Sequence, residues 1–291
     1  MRLADRRSFP RALALAAGAA AAGACAALLA YARFIELFHW QVSTHEIGIR
    51  GLGPAFDGFR IVQLSDLHMT GVMTPERLRE VAALAQALRP DAVVITGDFV
   101  TAEKPFDGAA LSVVLRSLQA AHGCYGVLGN HDRRPHVQAV RRALREGGLI
   151  ELDNRAITLR RGADVLHIAG VDSLYRRHAR LDLVLSALPA EGPAILLAHE
   201  PDFADVAAAA RRFALQLSGH AHGGQVRIPF FTRFGLPRYG VRYVSGMHNA
   251  GGMLVYAHRG IGTTSAPLRF RSRPEIALFV LRAGGGAAHP A

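Results

Sequence analysis

Five short polar motifs stand where apolar runs stop: Asp66-x-His68, Gly97-Asp98, Gly129-Asn130-His131-Asp132, His199 and Gly219-His220-x-His222. Together they offer three carboxylates, one carboxamide and five imidazoles. Nitrogen and oxygen donors without a thiolate suit Mn²⁺, Fe or Zn²⁺ and disfavour the all-oxygen sites of Ca²⁺ or Mg²⁺. Two such ions about 3.5–4 Å apart are the equipment of a two-metal hydrolase. Singly the motifs say little: an Asp-x-His triplet is often a turn with a capping Asp. Their order and their setting carry the reading.

That setting is a set of strand ends. Ile61–Leu64, Ala92–Ile95, Gly126–Leu128, Ala194–Leu197 and Leu215–Leu217 read as buried strands, each running straight into one motif. In open α/β sheets the ligand site lies at the carboxyl ends of the strands. Thr74-Pro75 opens a helix, with Leu78, Val81, Ala82, Leu84, Ala85 and Leu88 at helical spacing. Further helices are expected around 108–121, around 136–146, within 173–192 and over Pro201–Arg211. Short strands without intervening helices, at 149–152, 156–159 and 165–169, call for a second sheet or a β-rich edge. From Gln225 the chain is glycine-rich and β-like, with strands expected at Gln225–Ile228, Val241–Ser245, Met253–Ala257 and Ile276–Leu281. Asn249-Ala250-Gly251-Gly252 reads as a hairpin turn. Gln41–Ile49 reads as an edge strand.

The chain has 291 residues, half of them hydrophobic, and a formal charge of +11. Its basic balance suits anionic partners. Single-strand nucleic-acid binders interleave aromatic with basic residues, and an aromatic content of 7% argues against nucleic acid. Two cysteines, Cys25 and Cys124, exclude a disulfide framework. Residues 1–32 read as a leader: Asp5-Arg6-Arg7-Ser8-Phe9-Pro10-Arg11 is of twin-arginine type, and an uncharged, alanine-rich run follows from Ala12 to Ala32. It is either a cleaved signal or a retained membrane anchor. Both readings use the twin-arginine export machinery and place the body outside the cytoplasm, in the envelope or at the inner membrane. Residues 33–58 form a connector with the edge strand, 59–282 the main domain and 283–291 a tail.

The five motifs in this order resemble those of the calcineurin-like metallophosphoesterase superfamily, from about Phe59 to Phe279. His199-Glu200-Pro201-Asp202, the segment Ser218–Gln225, Arg259-Gly260-Ile261-Gly262 and Pro267-Leu268-Arg269-Phe270 resemble its bacterial exported, membrane-associated branch. The resemblance implies a four-layer αββα sandwich of two mixed sheets flanked by helices. It also implies two divalent metal ions: Asp66, His68 and His222 on one, Asn130, His199 and His220 on the other, and Asp98 bridging. The reaction implied is cleavage of a phosphate ester or pyrophosphate by metal-activated hydroxide attack, with a phosphodiester foremost among substrates. His131 would donate a proton to the leaving group, with Asp132 to orient it.

Arg133, Arg259 and Arg269 are candidate contacts for phosphate or headgroup oxygens, because guanidinium forks match them. His248, His258, His178 and His136 carry no motif. Phe99-Val100-Thr101 follows Gly97-Asp98, so both the tyrosine of purple acid phosphatases and the Asp-Arg-Gly element of protein Ser/Thr phosphatases are absent. Alternatives within the resemblance are a UDP-2,3-diacylglucosamine-type lipid pyrophosphate hydrolase, a nuclease and a non-catalytic metal-binding envelope module.

Overall fold

Strands that are apolar on both faces need cover on both sides, and the buried runs obtain it by stacking. A computed structural model describes residues 8–284 except 103, 135, 136 and 265, with side chains from Leu13 onward. The arginine pair Arg6-Arg7, His136 and residues 285–291 of the tail lie outside the described residues. The first sheet holds β1 (Gln41–Ile49), β2 (Arg60–Leu64), β3 (Ala92–Thr96), β4 (Cys124–Val127), β5 (Ile150–Glu151) and β12 (Glu275–Ala283). Their order is β1-β12-β2-β3-β4-β5. The second holds β6 (Arg155–Arg161), β7 (Asp164–Gly170), β8 (Ala194–Leu197), β9 (Leu215–Ser218), β10 (Gly246–Ala250) and β11 (Met253–Ala257). Its order is β10-β11-β9-β8-β7-β6.

Alternate residues of each strand face different layers. Ile61, Val94, Val127 and Phe279 pack inward against Ile168, Ile195, Leu197 and Leu217 of the facing sheet. Val62, Leu64, Val93 and Ile95 point the other way. They are covered by α2 (Pro75–Ala87), α3 (Gly108–Arg116) and α4 (Val137–Glu146). On the far side α5 (Leu181–Ala187) and α6 (Ala204–Ala209) cover Leu196 and Val255. The result is an αββα sandwich.

β2, β3 and β4 pair in parallel, as do β8 and β9, so the five motif-bearing ends share one rim. Thr74 caps α2, accepting from the Arg77 N–H, and Leu78, Val81, Ala82 and Ala85 are buried while Leu84 faces outward. α3 stops at Arg116, short of 121, because residues 117–123 turn back to enter β4. Two expected strands are not formed. Gln225–Ile228 makes one bridge, Val226 to Phe270, and Val241–Ser245 is loop held by side chains. The hairpin turn is present, with positive φ at Gly251 and Gly252. Both cysteines are free.

α1 (Ser8–Ala30) continues as tighter and wider turns to Phe38. The stretch Leu13–Phe38 is long and apolar enough to cross a membrane. Every side chain from Leu13 to Ala30 is exposed. The apolar cluster after it divides: Leu37 is buried, whereas Phe34 and Ile35 are exposed.

Phe279 sits between the sheets, edge-on to Tyr256 at 5.0 Å and stacked on His45 at 5.5 Å. Phe279→Ala should cost about 3–5 kcal/mol, read as a lower urea midpoint in detergent with the slope unchanged.

Candidate metal centre

Three of the strand ends, those of β2, β3 and β9, deliver their donors through bends that ordinary residues avoid. Asp66, His68, Asp98, His220 and His222 all have φ between +44° and +67°. Non-glycine residues seldom occupy this region, and such strain gathers at functional sites. Glycine neighbours make the bends fit. A Cβ on Gly129 would stand 2.1 Å from Asp98 Oδ1, and one on Gly219 would stand 2.4 Å from Asp66 Oδ2.

The seven predicted ligands meet in two clusters. Asp66, His68 and His222 bring donor atoms within 4.8 Å of one another, and so do Asp98, His199 and His220. In the first cluster His222 Nε2 lies 3.2 Å from Asp66 Oδ1 and 3.3 Å from His68 Nε2. In the second, His199 Nε2 lies 3.2 Å from His220 Nδ1, Asn130 Oδ1 and Asp98 Oδ2 alike. An ion about 2.1 Å from each donor leaves neighbouring donors roughly 3.0–3.4 Å apart, so the spacing fits a common cation in each. Asp98 Oδ2 is also 3.7 Å from His68 Nε2, so one oxygen faces both clusters.

The other ring nitrogens are occupied. His199 Nδ1 donates to the Thr96 carbonyl at 2.7 Å and His220 Nε2 to the Arg238 carbonyl at 2.8 Å. His68 Nδ1 meets Thr101 Oγ1 at 3.1 Å. Such partners fix the tautomer and aim the free nitrogen at a metal.

Electrostatics point the same way. Burial pushes His68 down to about 3 and also lowers His220, keeping both as neutral donors. Burial pushes Asp98 up, but the adjoining His199 outweighs it and holds the carboxyl well below its usual range. Asp66 behaves alike, with His222 prevailing over burial. For His199 burial opposes the proton, yet the adjoining Asp98 raises its affinity well above normal. In the bare protein a proton on His199 therefore supplies positive charge that a cation would bring.

His131 lies at the cleft edge, its ring perpendicular to His68 at 5.1 Å. The Ala102 N–H donates to His131 Nδ1 at 3.0 Å, which leaves the ring proton on Nε2. Asp132 does not orient this ring. It is fully buried and accepts from the Val100 and Gly129 N–H groups, bracing the two loops beneath the site. Burial raises its pKa well above normal, with the Asp98 charge adding to the effect.

The three predicted arginine contacts are each engaged internally. Arg133 pairs with Asp172 and Asp153, and Arg259 pairs with Glu275 at 2.9 Å. Arg269 is 0% exposed and donates to four backbone carbonyls, those of Arg259, Gly260, Gly262 and Ser272. Tyr175 and Arg238 line the cleft instead. The motif His199-Glu200-Pro201-Asp202 held a signal for this: Glu200 accepts from the N–H groups of Leu174 and Tyr175, and Asp202 from those of Val241, Arg242 and Tyr243. Two carboxylates next to one ligand thus anchor two walls of the cleft.

Residues 59–244 match the calcineurin-like phosphoesterase family. The chain is 36% identical over 288 residues to the metallophosphoesterase YkuE of Bacillus subtilis, covering 97% of this chain and 99% of that protein. It is 29% identical to the phosphodiesterase YaeI of Escherichia coli, over 77% of this chain and 82% of that one. It is also 26% identical to the UDP-2,3-diacylglucosamine pyrophosphatase LpxG of Chlamydia muridarum, over 76% and 83% respectively. The family match spans most of the chain and a relative matches nearly all of it, so the protein belongs to the calcineurin-like phosphoesterase family and is a metal-dependent phosphoester hydrolase.

Proposed function

We propose that this enzyme is a dinuclear phosphodiesterase acting on a lipid-linked ester at the membrane surface, outside the cytoplasm. The observation that carries the reading is the position of Asp98 Oδ2 between two donor clusters on the floor of a cleft of about 610 Å³. Asp66, His68 and His222 would hold one ion, Asn130, His199 and His220 the other, and Asp98 both. The donor set favours Mn²⁺, Fe or Zn²⁺. When bound, the ions would supply Lewis-acid charge against the phosphoryl oxygens and acidify water at the site.

The chain's own groups do the rest. His131, with its proton on Nε2, is placed to protonate the departing oxygen. Asp132 keeps the 98–102 and 129–132 loops in register so that His131 faces the clusters. Ile228, Phe231 and Pro237 form an apolar wall beside this polar floor, which suits an ester carrying an apolar substituent. A second reading, hydrolysis of a UDP-2,3-diacylglucosamine-type pyrophosphate, is favoured by that wall and by the likeness to the chlamydial pyrophosphatase.

Turnover of a panel of phosphodiesters, monoesters and lipid pyrophosphates, by protein purified from membranes and assayed with each metal, tests the proposal. No turnover of any diester with any metal would end it. Metal analysis should find two ions per chain, and Asp98→Ala should retain fewer than one. His131→Ala should slow diesters with alkoxide leaving groups about 10²–10⁴-fold. Nitrophenyl esters, which leave without a proton, should lose less than about tenfold; equal losses would assign His131 a different role. Glu200→Gln should raise KM more than it lowers kcat, because it loosens the wall bearing Tyr175 and leaves the metal donors in place.

A further inference from the structure

Residues 226–238 form a loop beside the cleft that exposes three phenylalanines. Phe230 is 92% exposed, Phe234 77% and Phe231 66%, with Ile228 close behind. Phe230 also has φ 66, a conformation a bulky residue adopts only at a cost. Phe231 reaches the cleft and lies 6.5 Å from Phe234, but Phe230 is almost wholly exposed, and exposed apolar patches of this kind mark a surface that something else covers.

The charge around them is mostly positive: Arg242 pairs with Asp205, Arg259 with Glu275, and Arg269 is buried, which leaves the other arginines of the surface unneutralised by ion pairs among the described residues. Segments 223–242 and 259–273 contain eight arginines and no aspartate or glutamate. Arg227, Arg233, Arg271 and Arg273 are exposed, and among the described residues none of the four makes an ion pair. Arg227 and Arg271 line a cavity of about 370 Å³ together with Thr232. Arg271 and Arg273 line a second, of about 430 Å³, together with Tyr31 at the base of the apolar helix.

Backbone contacts join these parts. The Arg269 N–H donates to the Ala32 carbonyl at 3.0 Å, and the Ser272 N–H donates to Glu36 Oε1 at 2.7 Å. The Phe270 N–H donates to the Gln225 carbonyl, and the Arg227 N–H to that of Phe270. The helix exit, the arginine strip and the aromatic loop are therefore one continuous surface, which ends at the cleft through Phe231.

We propose that the 226–238 loop is a membrane-docking element: its phenylalanines enter the interface of the bilayer that α1 crosses, and its flanking arginines bind anionic headgroups. Aromatic rings favour the headgroup level of a bilayer. Arginines near an anionic surface are drawn to its headgroups. Docking holds the mouth of the cleft at headgroup depth, so a lipid-linked ester enters without leaving its leaflet; this last step rests on the function proposed above.

The test uses the full chain in nanodiscs of phosphatidylethanolamine and phosphatidylglycerol, in a Cys25→Ser background with Cys124 left buried. An environment-sensitive fluorophore is placed at Phe230→Cys, at Phe234→Cys or at Ala190→Cys, the last being exposed at the amino end of β8, away from the cleft. Headgroup spin-labelled lipid should quench the first two at least twofold more than the third. Equal quenching at all three overturns the proposal and assigns the loop to a soluble partner. Arg227→Gln with Arg271→Gln should remove at least half of the excess quenching at position 234; an unchanged value overturns the headgroup contact. Quenching needs no turnover, so a chain that docks but hydrolyses no diester refutes the catalytic reading alone. A chain that hydrolyses diesters without excess quenching refutes the docking alone.

Discussion

Asp98 keeps its carboxylate at 1% exposure, with Oδ2 turned to His199 and His68 and Oδ1 accepting from the His131 N–H at 2.9 Å. A buried carboxylate is costly unless positive charge and hydrogen bonds surround it, and this one must satisfy two clusters at once. Its neighbours are shaped by that demand. Gly97 takes φ 88, and a Cβ there would strike His199 Nδ1 at 2.6 Å; Gly129 leaves the space that the carboxylate fills. The strained φ of Asp98 itself turns the side chain away from the axis of β3 and into the rim. Small errors at this residue propagate, because both clusters lose a donor together.

Such bends hold only if the strands beneath them cannot slide. The two sheets meet through apolar side chains, which resist separation but do little to fix register. Polar links under the site supply direction. Gln63 of β2 is fully buried, and its Nε2 donates to Thr96 Oγ1 of β3 and to the Ser218 carbonyl of β9. That carbonyl belongs to the other sheet, so one amide ties together three of the strands that deliver ligands. Ser65 Oγ donates to the Thr96 carbonyl, which also receives His199 Nδ1. These bonds are made in a low-dielectric interior, where a lost partner leaves a group unpaired at a cost of roughly 1–3 kcal/mol.

The strand ends and their donors were legible because both are local: an apolar run of four or five residues followed by Asp, His or Asn needs no knowledge of the rest of the chain. The arginines were not. Whether a guanidinium reaches a substrate depends on acids far away in sequence, such as Glu275 for Arg259 or Asp172 for Arg133, and spacing does not encode them. Asp132 failed for a similar reason: adjacency to His131 suggested a pair, but its carboxylate points down, to amides at 100 and 129. Gln225–Ile228 carries strand-like residues, yet a strand needs a partner along its length, and only Val226 finds one. Val226 is half-buried and Ile228 exposed, because both line the cleft.

Arg269 links the apolar helix to the ligands. Its backbone N–H holds the Ala32 carbonyl at the end of the helical leader, and its guanidinium Nη2 reaches to 3.5 Å from His222 Nδ1. Between these points the side chain is fully buried, and burial pushes its pKa down to about 10, so it remains charged at neutral pH. The four carbonyls that receive it come from residues 259, 260, 262 and 272, the turn that follows β11 and the approach to β12. A planar fork with five donors can bind four acceptors spread over such an arc, whereas an ammonium has three donors at a single point. Arg269 thereby joins the exit of the apolar helix to the histidine shell. The segment that leaves the helix is thus tied to the rim of the cleft by buried hydrogen bonds.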